Sequence, residues 1–376
     1  MRPKILFIIN SLTGGGAERV MAALLSHSAG YREQYDIALA LLDDEPQAYE
    51  IPDWITVHQL DCGGSLWQSV RQVRALERSL QPSVTLSFLT RANVANWASR
   101  AARRKPWIIS ERVNTSAHLG HGFSGRLSRG LVSLSYRQAT CVIAVSQGVA
   151  DDLSSNFAVP TKKISVIANP VDVTRISRLA LEKHPVHTHE PYIVAIGRLV
   201  ENKNFRLLID AFSAASVPEK LIIIGDGPLR SVLEKQIADH GLQDRIILTG
   251  FISNPFPLLA GAQFFVLPSN AEGFPNGLVE AMSTGTAVIS TNCRSGPSEI
   301  LARQSNMTVE RMTPVDFGVL VPCDEIEPMA DSLLYLQDDA VRKRLARLAL
   351  ARTKDYTPEK AAQHYWHVIG NAHAAA

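Results

Sequence analysis

Two carboxylates, Glu272 and Glu280, stand eight positions apart and enclose Gly273-Phe274-Pro275-Asn276-Gly277-Leu278-Val279. Pro275 and Gly277 favour a turn, and Asn276 is a good residue to cap a helix start. From Leu278 the chain is helix-compatible up to Gly285, a stop signal. The N-terminus of such a helix presents backbone N–H groups and suits a diphosphate. Carboxylates on either side can accept hydrogen bonds from sugar hydroxyls, Glu280 at one end and Glu272 at the other. At ~1.5 Å per helical residue the pair spans on the order of 10 Å, close to the distance from ribose to the sugar of a nucleotide sugar.

A second group supplies positive charge. Gly197-Arg198-Leu199-Val200-Glu201-Asn202-Lys203-Asn204 follows an apolar run, so Arg198 and Lys203 sit at the mouth of an expected strand. Together they can neutralise charge that grows on a leaving phosphate. Near the chain start, Gly14-Gly15-Gly16 follows the first apolar run, where open α/β sheets bind ligands. That loop lacks the third glycine of a dinucleotide fingerprint, because Arg19 stands there, and it lacks the Gly-Lys-Ser/Thr of a P-loop. Gly225-Asp226-Gly227 reads as a turn near the same end of the second half. Phe251, after Thr249-Gly250, offers a ring to a nucleobase. Arg294-Ser295-Gly296-Pro297-Ser298-Glu299 opens another helix with a supporting role.

These residues must be positioned by strands and helices that alternate. Ile5–Ile9, Ile37–Leu42, Thr56–Leu60, Val84–Phe88, Trp107–Ser110, Cys141–Val145 and Ile164–Ile167 read as strands, with helical patterns between most of them. The alternation restarts at Tyr192–Ile196 and runs to Gly318–Val321. This predicts two parallel sheets flanked by helices. The expected division is an N-terminal Rossmann-like domain over 1–170, a linker over 171–190, a nucleotide-sugar domain over 191–355, and a helix over 356–376 that returns to the first domain. His184, His187 and His189 fall in the linker, which is read as a polar connection rather than a metal site.

A chain of 376 residues, 46% hydrophobic and 20% charged, fits a globular protein of two domains. A net charge of +2 argues against nucleic-acid binding. The charge is uneven: residues 62–150 carry twelve basic side chains, eleven of them Arg, against Glu77 and Glu111. Arg71, Arg74 and Arg78 recur at helical spacing over Leu66–Leu80, which points to an anionic partner such as a membrane surface. The opposite stripe of that helix, Leu66, Val70, Val73, Leu76 and Leu80, is expected in the core. Four scattered cysteines form no metal or disulfide framework. The apolar start is too short for a secretion signal and nothing approaches ~18 consecutive apolar residues, so a cytoplasmic location, peripheral at the inner face of a membrane, is the expectation.

The order Gly-Gly-Gly-Ala-Glu-Arg, then Gly-Arg-Leu with Lys203-Asn204, then Glu-x₇-Glu, then Gly-Pro-Ser-Glu-Ile resembles family-four retaining glycosyltransferases of the GT-B fold. The resemblance is nearest to bacterial enzymes that extend lipid-linked oligosaccharides for N-glycans, capsules and O-antigens. It implies two Rossmann-like domains facing across a cleft. It also implies transfer of a hexose or N-acetylhexosamine from a UDP-sugar to a polyprenyl-diphosphate-linked saccharide, with no metal or other cofactor. In that reading Arg198 and Lys203 hold the diphosphate, Glu272 the donor sugar and Glu280 the ribose. The donor is further lined by Gly273, Phe274, Asn276, Gly277 and Leu278, and by Gly15 and Gly16 across the cleft. Many members carry a histidine beside the donor sugar at the end of the strand matching Trp107–Ser110. Here Glu111, Arg112 and His118 are the candidates for sugar or acceptor contact. A GDP-sugar-dependent transferase, a UDP-N-acetylhexosamine 2-epimerase and a non-catalytic sugar-nucleotide binder are the alternatives on the same architecture.

Overall fold

The computed structural model describes residues 2–100, 105–118, 123–183 and 190–375. His121 and the three linker histidines, His184, His187 and His189, lie outside the described residues. The chain forms two compact units, Met1–Pro170 with Pro358–Ala376, and Val171–Thr357.

In the first unit the strands are β1 (Lys4–Ile9), β2 (Asp36–Leu41), β3 (Thr56–Gln59), β4 (Val84–Phe88), β5 (Trp107–Glu111), β6 (Cys141–Ala144) and β7 (Ile164–Val166). They pair in the order β3-β2-β1-β4-β5-β6-β7, all parallel. Ile5 to Ile9 are completely buried, as an unbroken apolar run requires when helices cover both faces of a sheet. The helices are α1 (Gly16–Ser26), α2 (Leu66–Leu80), α3 (Thr90–Arg100), α4 (Thr115–His118), α5 (Phe123–Gln138) and α6 (Gln147–Phe157). Ser65 caps α2 by accepting from the Gln68 N–H, and Gln81 ends it in a left-handed conformation. Along α2, Val73 is buried, and Val70, Leu76 and Leu80 pack partly buried against Leu6, Ile8 and Ala40. Leu66, expected in that stripe, is instead exposed at the first turn, outside that cluster.

The C-terminal helix, Pro358–Ala374, belongs to this first unit. Its anchor is Trp366, whose ring stacks on Tyr31 at 4.5 Å and Tyr35 at 5.2 Å, while its indole N–H donates to Ser28 Oγ at 2.8 Å. A buried indole needs such an acceptor, and the aromatic contacts add to the area it removes from water.

The second unit repeats the plan. Its strands are β8 (Tyr192–Ile196), β9 (Lys220–Ile224), β10 (Ile246–Gly250), β11 (Phe264–Leu267), β12 (Ala287–Thr291), β13 (Thr313–Val315) and β14 (Gly318–Val321), in the order β10-β9-β8-β11-β12-β14-β13. All pair in parallel except β13 with β14. Its helices are α7 (Val173–Leu179), α8 (Phe205–Ala215), α9 (Arg230–Asp239), α10 (Phe256–Gly261), α11 (Asn276–Ser283), α12 (Pro297–Leu301), α13 (Ile326–Tyr335) and α14 (Asp339–Arg352). In both units the strand order reverses beside the first strand, between β1 and β4 and between β8 and β11. Crevices that bind ligands open at the carboxyl ends of the strands at such a switch.

Two sequence expectations change here. Residues 171–190 are not all linker. Asp172 caps α7 by accepting from the Arg175 N–H, and Ile176 is buried. A cap three residues before a basic side chain hid behind the break at Asn169-Pro170. Second, α11 begins at Asn276, so Pro275 and not Asn276 holds the cap position, with no side-chain cap. The Pro275 carbonyl accepts from the N–H groups of both Leu278 and Val279. Among the described residues no helix is long and apolar enough to cross a membrane.

Gly225 follows β9 at φ +141°, and a Cβ there would lie 2.0 Å from the Gly197 carbonyl oxygen. Both the backbone conformation and the close approach exclude a side chain. Gly225→Ala should lower stability by about 2 kcal/mol or more, read as a fall in the urea midpoint. Gly30→Ala, where a Cβ meets nothing within 4 Å, should leave that midpoint unchanged.

Candidate active site

The second unit gathers its chemistry at the carboxyl ends of β8 and β11, the two strands that flank the switch. Leaving β8, the chain passes Gly197 and Arg198 and makes a short turn over Glu201–Lys203 before α8. The loop is backed by the Gly225–Gly227 turn: Gly197 N–H donates to Ile224 O, Leu199 N–H to Asp226 O, and Leu229 N–H back to Leu199 O. Arg198 is exposed on this support. Gly225 N–H also bonds Gly250 O at 2.9 Å, which ties the loop after β10 to the same floor. Phe251 follows there with 82% of its surface exposed, a large apolar ring left in water at the ligand end of a sheet.

From β11 the chain runs through Ser269 and Asn270 to Glu272. Lys203 Nζ lies 2.5 Å from Glu272 Oε1, with side-chain exposures of 23% and 9%. The pair therefore bridges the switch from β8 to β11 in a partly desolvated setting, where an ion pair counts for more than on an open surface. An ammonium has three donors, and this bond uses one of them. Asn270 N–H donates to Asn202 O at 2.9 Å, so backbone as well as side chains join the two loops.

Beyond Glu272, Gly273, Phe274 and Pro275 are buried and lead into α11. Phe274 packs edge-on against Tyr356, ring centres 5.4 Å apart. Gly296, at φ +97°, lets the start of α12 approach this turn. A Cβ there would meet Pro275 Cδ at 2.5 Å. No side chain caps α11, and of its four first-turn N–H groups those of Leu278 and Val279 are bonded to the Pro275 carbonyl, so its positive end lies at Asn276 and Gly277. Asn276 and Gly277 open that turn, Leu278 is fully buried beneath it, and Glu280 follows one turn in, largely buried. Cys293, after β12, is buried nearby. Burial first, and then the Glu272 carboxylate, pushes its thiol well above the usual range. It is a neutral neighbour of the pair and no nucleophile.

In the first unit, Gly15 and Gly16 open α1 with no side-chain cap. The Tyr49 hydroxyl donates to Gly14 O at 3.2 Å and holds the loop. Glu111 and Arg112, expected as candidates for sugar or acceptor contact, are 1% and 7% exposed. Glu111 accepts from the N–H groups of Arg112 and Val113 and, at 2.6 Å, from the Tyr136 hydroxyl. Arg112 lies over the Phe88 ring and donates to Tyr365 Oη at 2.7 Å, to Ser110 and to Asn169. Burial lowers its guanidinium pKa and raises the Tyr136 phenol, where Glu111 adds to the rise. Both side chains are thus engaged inside the unit, as supports at the end of β5. His118 ends α4, and its side chain lies outside the described residues.

Sequence reasoning brought out Arg198, Lys203 and Glu272 and missed what joins their loops. Asn204, Asn270 and Asp324 hydrogen-bond to one another at 2.7–3.1 Å. Their separations of 66, 54 and 120 positions form no local pattern.

The comparisons fit this geometry. Residues 14–175 match the sequence model described as Glycosyltransferase Family 4, and residues 190–339 match Glycosyl transferases group 1. The chain is 30% identical over 373 residues to the N-acetylgalactosamine-N,N'-diacetylbacillosaminyl-diphospho-undecaprenol 4-alpha-N-acetylgalactosaminyltransferase of Campylobacter jejuni, covering 96% of this chain and 97% of that one. It is 27% identical over 367 residues to a second Campylobacter jejuni enzyme, a GalNAc-alpha-(1->4)-GalNAc-alpha-(1->3)-diNAcBac-PP-undecaprenol alpha-1,4-N-acetyl-D-galactosaminyltransferase, covering 94% of each. The crystal structure of Anabaena HepE in complex with UDP and glucose shares the fold, with a TM-score of 0.76 at 21% identity over 98% of this chain and 100% of that one. Two Rossmann-like units of this topology constitute the GT-B architecture, and the chain belongs to the family 4, group 1 glycosyltransferases.

Proposed function

We propose that this glycosyltransferase moves a hexose or N-acetylhexosamine from a UDP-linked donor, with retention, onto a polyprenyl-diphosphate-linked saccharide. The observation that carries the donor assignment is the Lys203–Glu272 pair spanning β8 and β11, with Arg198 on the same loop as Lys203. Cations suited to a diphosphate and a carboxylate suited to sugar hydroxyls meet at one switch point. The acceptor class follows from the Campylobacter relative, whose name specifies a diphospho-undecaprenol saccharide and an alpha linkage. An alpha product from an alpha-linked sugar nucleotide is retention.

In this reading the C1–O bond of the donor breaks and its electron pair moves onto the β-phosphate. Arg198, Lys203 and the positive N-terminal end of α11 stabilise that charge, fixed in place before the reaction begins. The acceptor hydroxyl attacks C1 from the same face, and the departing phosphate oxygen takes its proton. Glu272 orients the transferred sugar and Glu280 the ribose, while Gly273, Phe274, Asn276, Gly277 and Leu278 line the donor. Phe251 provides a face for the uracil. The two glutamates are therefore positioners rather than an acid–nucleophile pair. The fixed cations supply the neutralisation that a divalent metal gives elsewhere, so the proposed chemistry needs no metal. In the first unit, Gly15 and Gly16 offer a second set of helix-start N–H groups to an anion.

The exposed Arg71, Arg74 and Arg78 of α2, beside Trp67 with 69% of its surface exposed, suit contact with an anionic bilayer that carries the lipid acceptor. We place the protein at the cytoplasmic face of a bacterial membrane.

Mass spectrometry of reactions with UDP- and GDP-sugars and a polyprenyl-diphosphate saccharide should show extension only from UDP donors, with retained configuration by NMR. Extension from GDP-sugars or an inverted product would contradict the reading. Glu272→Gln should lower kcat/KM by about 10²–10³-fold while UDP still binds, whereas Lys203→Ala should also weaken UDP. Normal turnover in Glu272→Gln removes its assigned role. Replacing Arg71, Arg74 and Arg78 together by Ala should weaken sedimentation with anionic vesicles by about 1 kcal/mol per charge removed at low salt. Unchanged sedimentation would place the membrane contact elsewhere.

A further inference from the structure

We propose that Asp324, after β14, is a positioning residue for the donor site, acting through Asn204 and Asn270. The inference rests on the donor reading above and adds the element that sets its geometry. One carboxylate oxygen, Asp324 Oδ1, accepts from Asn204 Nδ2 at 2.7 Å and from Asn270 Nδ2 at 2.8 Å. Asn204 Nδ2 also donates to Asn270 Oδ1 at 3.1 Å and closes the triangle. Each corner stands on a different loop, after β8, after β11 and after β14. The orientation of the Asn204 amide is determined. Its oxygen accepts from the Leu207 N–H at the start of α8, at 3.4 Å, so its NH₂ faces the carboxylate.

The triangle flanks the catalytic pair on both sides. Lys203 immediately precedes Asn204, and Glu272 lies two residues after Asn270. Asn202 adds two further ties, its carbonyl to Asn270 N–H at 2.9 Å and its amide to Ala271 O at 3.5 Å. Asn204 and Asp324 both adopt left-handed backbone, φ +47° and +59°. Asn and Asp tolerate that conformation better than other residues with a side chain, and glycine accepts it without strain. The exposed Asp324 carboxylate adds a third anchor, on the loop after β14, to two loops that are already tied to each other, and the three-way registration holds the Lys203 ammonium against Glu272. Small misplacement at such a centre costs rate more than binding.

Two substitutions separate the carboxylate's bonds from the backbone. Asp324→Asn keeps an acceptor oxygen and tolerates the left-handed conformation. Asp324→Gly keeps the conformation and removes the acceptor. With UDP-sugar and acceptor, Asp324→Gly should lower kcat by about 10- to 100-fold. Its donor KM, calorimetric UDP affinity and thermal midpoint should stay close to wild type. Asp324→Asn should restore kcat to within about threefold of wild type. Unchanged kcat in Asp324→Gly overturns the proposal, as does a loss confined to the thermal midpoint or an Asn variant as slow as the Gly variant. A wild-type protein that neither binds UDP nor transfers sugar defeats the donor reading instead. The clamp is then judged by amide hydrogen exchange over residues 201–204 and 270–272. Asp324→Gly should accelerate it and Asp324→Asn leave it protected, and equal exchange in all three proteins overturns the clamp itself.

Discussion

The second unit depends on an ion pair held across the point where its sheet changes direction. Lys203 and Glu272 approach to 2.5 Å with the carboxylate nearly out of solvent. Removing either partner leaves the other charge partly buried and uncompensated, which costs far more than the pair contributes by itself. In the function we propose, the arrangement matters for what it offers a third group. On that proposal a diphosphate arriving at Lys203 would find a cation already localised and already oriented, and a sugar beyond it would find Glu272 fixed in register with that cation. Preorganisation of this kind lets charge be stabilised in the transition state without moving dipoles at the moment of reaction.

The rest of the unit makes that registration possible. Buried parallel strands, rich in Ile, Val and Phe, bring the ends of β8 and β11 side by side through the pairing of Val194 with Phe265. Gly225 and Gly227 let one turn slide under the Arg198 loop, where a Cβ would fall 2.0 and 2.5 Å from backbone oxygens. Gly296 lets α12 approach the turn before α11. The first unit uses the same plan with a different outcome. At the end of β5 its ionisable residues, Glu111 and Arg112, turn inward to Tyr136, Tyr365 and Asn169 and stiffen the strand end. Buried charge of that sort is costly unless every donor and acceptor is matched, and here most are.

Much of this was legible in the sequence because the signals are local. Apolar runs such as Tyr192–Ile196 and Phe264–Leu267 mark strands within a residue or two of their observed bounds. Arg198 and Lys203 read as a candidate anion site because they sit on the loop that follows one of those runs. What stayed hidden depends on contacts between distant segments. Asp324 gives no sign of its role, since its partners lie 120 and 54 positions away. Helix α7 is short, and Asn169-Pro170 before it reads as a break. The edge strand β13 spans three residues, one of them Pro314, and exists only by pairing with β14. Glu111 and Arg112 looked like ligand-facing charges because sequence alone cannot show that Tyr136 and Tyr365 wait for them in the interior.

The central claim, that the Arg198–Lys203 loop and the start of α11 are built for a diphosphate, is tested most directly by calorimetric titration of the wild-type protein with UDP and with UMP at two salt concentrations. The account predicts that UDP binds at least about tenfold more tightly than UMP, and that the difference narrows as salt rises. Equal affinity for the two nucleotides, independent of salt, would contradict it.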